Sequence, residues 1–398
     1  MKSKNKTMTE LKNIIKTTGY FLLVISASSQ AEERIGLLLN GDVSAEYSDN
    51  VLNNSKNISD TAIMLNPKAR YIAQMGKHDF IFSYKGEFTN YLKDSNLNYN
   101  AQKLGAKLLL DHSNKINTEF SLGYDKINEA PGSTNSSTED LTEFNQYSDK
   151  SALAKFYYGQ RKSLGQFVFD YKYVNRSYLN NNQSYRDVDQ NKFSATFYYR
   201  VAPKTRLLFQ AVNENFDYEN RISASGKVFN QSNTNNLYLT GVEWQATAKS
   251  SGTFKLGYRD KDYDNVMLND TSGLSYTLDM LWKPNTFTRL ELRASRQGSE
   301  SAELNEAGFI KTTYSLTASH DITARTLANA IYTFNNNDIL SDSARSDKHH
   351  TLKLGFNHSL RKWLNIKLAY EYQEKSSTLE QFNFKSNTVS ISLETLFI

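Results

Sequence analysis

Apolar and polar side chains alternate one for one along much of this chain. From Phe80 to Phe88 one face carries Phe80, Phe82, Tyr84, Gly86 and Phe88, and the other carries Ile81, Ser83, Lys85 and Glu87. The same period recurs at Phe167/Phe169/Tyr171/Tyr173, interleaved with Asp170 and Lys172, and at Phe193/Ala195/Phe197/Tyr199, interleaved with Ser194, Thr196 and Arg200. It returns in Leu274/Tyr276/Leu278/Met280/Trp282, in Leu290/Leu292/Ala294 between Arg289, Glu291 and Arg293, and in Leu364/Ile366/Leu368/Tyr370/Tyr372 around Lys367 and Glu371. Side chains alternate faces along a strand, so each stretch predicts a strand with one apolar and one polar side. A helix would scatter the same residues around its circumference.

Eighteen such segments follow one another, centred near residues 43, 67, 84, 105, 121, 154, 170, 196, 210, 242, 256, 278, 291, 315, 330, 355, 368 and 391. Pro67 interrupts the second, because proline has no N–H to give to a ladder. The ninth carries apolar residues on both faces. Connections alternate in length. Short turns are expected at 75–78, 111–114, 161–163, 202–204, 249–252, 284–286, 320–323 and 360–362. Long connections, rich in Asn, Ser and Asp, are expected at 49–60, 91–97, 128–149, 176–188, 217–234, 261–271, 296–308, 336–346 and 374–385.

Barrels of the Gram-negative outer membrane sort their connections in this way, with short turns in the periplasm and longer loops outside. The sequence is therefore read as all-β, a transmembrane antiparallel up-and-down β-barrel of about 18 strands in the cell outer membrane. The even strand count places both termini on the periplasmic side. The last strand, Val389 to Ile398, carries its aromatic residue, Phe397, one position before the end.

Composition fits the same reading. The 398 residues include 25 Tyr and 22 Phe but only 4 Pro. Half of each barrel strand faces lipid and half faces water, so no large apolar core is required. Residues 1–16 carry Lys2, Lys4, Lys6, Lys12 and Lys16 against Glu10, and an apolar run from Gly19 to Ala27 leads to Ser29-Gln30-Ala31. That order of basic, apolar and small residues is that of a secretory signal, and the run is too short to span a bilayer, which takes about 20 residues. Residues 1–31 are expected to be the signal peptide, cleaved after Ala31, and residues 32–398 the barrel. Most of the formal charge of +5 then belongs to the leader, which removes support for a nucleic-acid partner. The chain has no Cys, which excludes a disulfide framework, thiolate chemistry and a lipid-bearing cysteine.

Polar faces turned inward give a lumen with Lys85, Lys172, Lys192, Arg200, Lys255, Arg259, Arg289, Arg293, Lys353 and Lys367, against Glu87, Asp170, Glu243, Asp279, Glu291 and Glu371. Lys85, Lys172, Arg200, Lys255, Arg259, Arg289, Arg293 and Lys367 are the lumen-facing candidates for contact with a solute. The basic excess would concentrate anions. The same residues can also be read as cross-strand ion pairs that fill the wall.

Tyr47-Ser48-Asp49-Asn50-Val51, closing the first strand, resembles the tyrosine, aspartate, asparagine, hydrophobic element that opens the outer-membrane β-barrels of exopolysaccharide-biosynthesis operons, of the porin type. The resemblance implies passage of a nascent polysaccharide across the outer membrane. Its implied partners are periplasmic or inner-membrane polysaccharide-export proteins, besides outer-membrane lipid, lipopolysaccharide and the barrel-assembly machinery. It implies no catalytic residues and no cofactor. The residues agree: no G-x-S-x-G occurs, and the adjacent His349 and His350 fall on opposite faces of a strand, a poor geometry for joint metal ligation. A general diffusion porin for small solutes remains the alternative, followed by a barrel-scaffolded surface enzyme or adhesin.

Overall fold

The computed structural model describes residues 35–134, 143–219, 221–222, 228–247, 249–301, 308–340 and 345–397; the expected signal peptide lies outside them. Eighteen long strands follow in order: β1 (Gly36–Ser48), β2 (Asp60–Met75), β3 (His78–Tyr91), β4 (Tyr99–Asp111), β5 (Ile116–Asn128), β6 (Gln146–Tyr158), β7 (Gly165–Tyr178), β8 (Val188–Ala202), β9 (Thr205–Tyr218), β10 (Asn233–Thr247), β11 (Ser250–Tyr263), β12 (Thr271–Trp282), β13 (Thr288–Ser299), β14 (Phe309–Thr323), β15 (Thr326–Ile339), β16 (Ser346–Arg361), β17 (Leu364–Ser377) and β18 (Phe384–Phe397). Each pairs antiparallel with its sequence neighbours, and β18 pairs with β1, so the sheet closes into an up-and-down barrel with no free edge. A two-residue ladder, Arg221–Ile222 with Val228–Phe229, sits in the connection after β9.

Every expected strand centre falls inside one of these strands. The strands run further toward the long loops than the apolar pattern does: Asn233–Asn236 and Asn335–Asn337 belong to ladders. Backbone pairing needs no apolar side chain, and amides can pair across it, as when Asn213 Nδ2 donates to Asn236 Oδ1 at 2.8 Å. The turn expected at 320–323 lies instead between Thr323 and Thr326, and His320 stays in β14.

The two irregular segments resolve simply. Pro67 remains within β2 and opposite Gly41 of β1, while on the other side the β2–β3 ladder skips from Leu65↔Phe88 to Lys68↔Lys85 without losing register. In β9, Leu207 and Phe209 point outward, whereas Leu208 and Val212 are buried within the wall.

The outward face is the apolar one. Phe82 is 51% exposed and Phe169 38%, and Leu278 and Ile366 share their face through the pairs Leu278↔Phe254 and Ile366↔Leu393. Trp244, Trp282 and Trp363 all lie at or beside the short turns, where a ring with an apolar body and a polar N–H suits the membrane interface.

The first-strand motif clasps the β1–β18 seam. The ladder ends at Ser48↔Thr388, and Asp49 extends it: Asp49 N donates to Asn387 O at 3.1 Å. Asn387 N and Nδ2 in turn donate to the Asp49 carboxylate at 2.7 and 2.8 Å. Asn50 is buried and donates from Nδ2 to Lys385 O, 3.0 Å, and to Asn54 O, 2.8 Å. Val51 then joins Leu52, Leu97 and Phe144, with Tyr91 and Tyr99, in an apolar cluster that binds three successive long loops together.

Candidate pore lining and mouth

The pairing register places all eight candidate cations on the face opposite the exposed apolar residues. Their surroundings differ. Lys367 pairs with Glu394 at 3.0 Å, and Arg293, 54% exposed, lies 3.3 Å from Glu291 and 3.6 Å from Asp279. Lys255 Nζ donates to Gln210 Oε1 at 2.9 Å. Lys85 and Lys172 lie beside Glu87 and Asp170 on their own strands. Arg200 and Arg289 make no ion pair with the described residues, and Arg289 is exposed.

Arg259 is the exception, with only 3% of its surface exposed. The β12–β13 ladder runs only from Tyr276↔Arg296 to Trp282↔Leu290, although both strands continue toward the long loops. Where they part, the Arg259 guanidinium lies against Gly298, so close that a Cβ there would meet it, and donates to Thr271 Oγ1 at 3.4 Å. It fills a gap in the wall, which leaves it little reach into the lumen.

Much of the basic excess is thus taken up in cross-strand pairs: Lys107–Glu119 at 2.6 Å, Lys192–Glu214 at 2.6 Å, Lys353–Glu371 at 2.7 Å and Arg176–Asp149 through two bonds of 2.8 Å. Near the short turns Glu243 is held by Arg206 and by Arg161, which reaches over from the β6–β7 turn. Arg206 also donates to Gln166 Oε1 at 2.7 Å and lies over the Tyr198 ring. Toward the long loops Lys261 pairs with Glu300 at 2.5 Å, and Asn233 Nδ2 donates to the same carboxylate at 3.2 Å. Burial pushes the Glu300 carboxyl above its ordinary range, against the pull of Lys261.

A strap crosses the long-loop mouth. Residues 129–134 leave the end of β5, where Arg186 grips Glu129 through bonds of 2.6 and 3.0 Å and Asn145 Nδ2 donates to the same carboxylate at 2.9 Å. The far end of the strap meets β15, β16 and β17, nearly across the ring from β5. There Asn337 Nδ2 donates to Thr134 Oγ1 at 2.7 Å, Thr134 donates to Asp347 at 3.2 Å, and Lys375 Nζ donates to Gly132 O at 3.3 Å. Asp347 is fully buried and takes two bonds from Arg345, 2.7 and 3.0 Å, besides Lys375 at 3.2 Å. Gly132 has φ +72, and a Cβ there would run into Asn53 and Phe384, so this crossing needs glycine.

Sequence reasoning did not find this clamp. Period-two alternation assigns Arg345, Asp347 and Lys375 to a polar face, but nothing local says that a distant loop will cover them. His349 and His350 do take opposite faces: His349 Nε2 meets Gln373 Oε1 at 3.2 Å and His350 Nδ1 meets the Tyr332 hydroxyl at 2.8 Å.

Solved structures similar to this chain include outer-membrane porins. Pseudomonas aeruginosa OpdO superposes with a TM-score of 0.53 at 11% identity, covering 91% of this chain and 98% of its own. A BenF-like porin from Pseudomonas fluorescens Pf-5 gives 0.51 at 9% identity, covering 91% and 99%, and Pseudomonas aeruginosa OccK9 gives 0.51 at 12%, covering 91% and 98%. At these identities the likeness is one of fold. No curated protein matches the sequence. A family profile does, over residues 40–397, and its span takes in all but the first four residues of the barrel wall. The chain belongs to the family described as "Putative beta-barrel porin 2", and is an outer-membrane barrel of the porin kind.

Proposed function

We propose that this barrel is a pore for exopolysaccharide export across the outer membrane, with its short turns and both termini in the periplasm. What supports the reading is the spread of cations over the wall. Arg200, Arg289 and the exposed Arg293 stand among paired Lys and Glu residues, and no single pocket gathers them. A long chain can pass only a wall that holds it weakly at many points. The likeness of Tyr47–Val51 to the barrels of exopolysaccharide operons adds to it. On this reading the mature chain begins at Glu32, and periplasmic or inner-membrane export proteins hand the polymer on.

The test is a strain lacking the gene, with inner-membrane polymer synthesis intact. Loss of secreted polymer is the expected result. Unchanged polymer with reduced uptake of small solutes would overturn the export reading in favour of a diffusion pore. The strap at residues 129–134 favours that second reading, because it runs from the end of β5 to β16 and β17 across the path a long polymer would take.

A further inference from the structure

The connections at the two ends of the barrel carry opposite charge. Between strands, the eight short turns hold Lys77, Lys115, Arg161, Lys162, Lys204, Lys249, Lys283, Arg325 and Lys362, and not one Asp or Glu. Every turn contributes at least one cation, and all but Arg161 are exposed. The nine long connections hold fifteen Asp and Glu against six Lys and Arg, with four carboxylates and no cation in 129–145 and three and none in 300–308. By sequence, the short turns therefore sum to a formal charge of +9 and the long connections to −9.

We propose that the short-turn mouth is a cationic collar that gathers an acidic polysaccharide, so that the cargo is a polyanion. This rests on the export reading and names the class of polymer. Successive turns are separated by two strand spacings, roughly 10 Å around the rim. That is close to the Debye length of about 8 Å at physiological ionic strength, so a small anion feels one or two turns while a polyanion draped over the rim feels many. The cations also continue inward. Arg200 stands near the β8–β9 turn and Arg289 near the β12–β13 turn, with Arg293 two repeats of the pleat further along the wall. A ligand that follows them must enter the lumen, which a chain can do and a folded acidic protein cannot.

The test uses the whole barrel in a planar bilayer. Val266, 98% exposed in a long connection, offers a place for a single cysteine in a chain that has none, so that Val266→Cys reports which way each barrel points. Polygalacturonate fragments added on the short-turn side should block current at a concentration about tenfold lower than from the loop side, within the range by which a focused field raises local ion concentration. Neutral dextran of equal length should show no preferred side. Replacing Lys77, Lys115, Lys204, Lys283, Arg325 and Lys362 with Ser should abolish the preference, and so should 1 M salt with the unaltered chain, a measurement that needs no variant to assemble. Equal block from both sides, or a preference that survives high salt, overturns the proposal. A six-fold variant that blocks normally but loses affinity for phosphatidylglycerol bilayers overturns it too, since the collar would then serve lipid headgroups. The outcome is separable from that of the deletion strain: sided block without any change in secreted polymer would leave the collar and remove the export reading.

Discussion

Asn387 gives both its backbone N–H and its side-chain amide to the carboxylate of Asp49, at 2.7 and 2.8 Å, and so ties the last strand to the first where their ladder ends. A carboxylate that accepts two bonds at a strand end is worth about 1.5–3 kcal/mol per bond when the partners are held in place. Asp49→Ala should therefore lower the temperature at which the barrel loses its compact, detergent-resistant form on a gel. Asp49→Asn, which keeps one acceptor, should fall between. An unchanged transition in Asp49→Ala would show that the seam does not depend on this clasp.

Leu278 and Thr277 are neighbours in β12 with opposite surroundings: Leu278 pairs with Phe254 and Ala294, Thr277 with Lys255. Leu278→Arg places a charge in the lipid band and should cost roughly 2–4 kcal/mol, whereas Thr277→Arg should cost far less. Equal yields of folded barrel for the two variants would show that the facing is wrong.

Arg259 and Arg289 test the difference between a cation that fills the wall and one that faces the lumen. Arg259→Ala should destabilise the barrel by about 1.5–3 kcal/mol, as expected for loss of a buried charged donor. Arg289→Ala should leave stability almost unchanged and alter ion selectivity instead. Comparing denaturation midpoints with reversal potentials in a salt gradient would separate the two effects.

The strap should be visible in single-channel recordings. Asp347→Ala leaves Lys375 buried without its carboxylate, a change that costs about 3–5 kcal/mol where a buried pair is broken, and it takes away the acceptor of Thr134. Conductance should rise and become noisier, and Gly132→Val should act in the same direction by forcing the strap away from Asn53. Conductance equal to that of the unaltered barrel in both variants would show that residues 129–134 do not obstruct the path.

The wall was legible in the sequence because barrel strands announce themselves locally. Phe82, Phe169, Leu278 and Ile366 stand out by period alone, and the short turns by their place between two alternating runs. What happens inside was not legible. Arg259 and Arg293 look alike in sequence, yet one plugs a parting of two strands and the other meets water, a difference set by how far the β12–β13 ladder extends. The strap depends on Thr134 reaching Asp347, more than two hundred residues on, and no local pattern encodes that meeting. Asn-rich strand ends escaped notice for a simpler reason: the apolar signal stops where the lipid stops, and the hydrogen-bonded ladder does not.

The seam sets an order of events. Ser48 and Ser386, like Asp49 and Asn387, are 338 residues apart in the chain. The entropy of closing so large a ring grows only with the logarithm of its length, by about 0.6 kcal/mol for each doubling, so distance alone is no great thermodynamic obstacle. Time is the harder constraint. Until the final strand exists, β1 waits with one row of backbone N–H and C=O groups unpaired, and each newly added strand presents another. Such an edge is a template for pairing with the wrong chain, and non-local pairing of this kind is slow. Deleting β18 would therefore do more than remove one stave in eighteen. It would leave a sheet with two permanent edges, a species that should aggregate rather than persist as a smaller barrel.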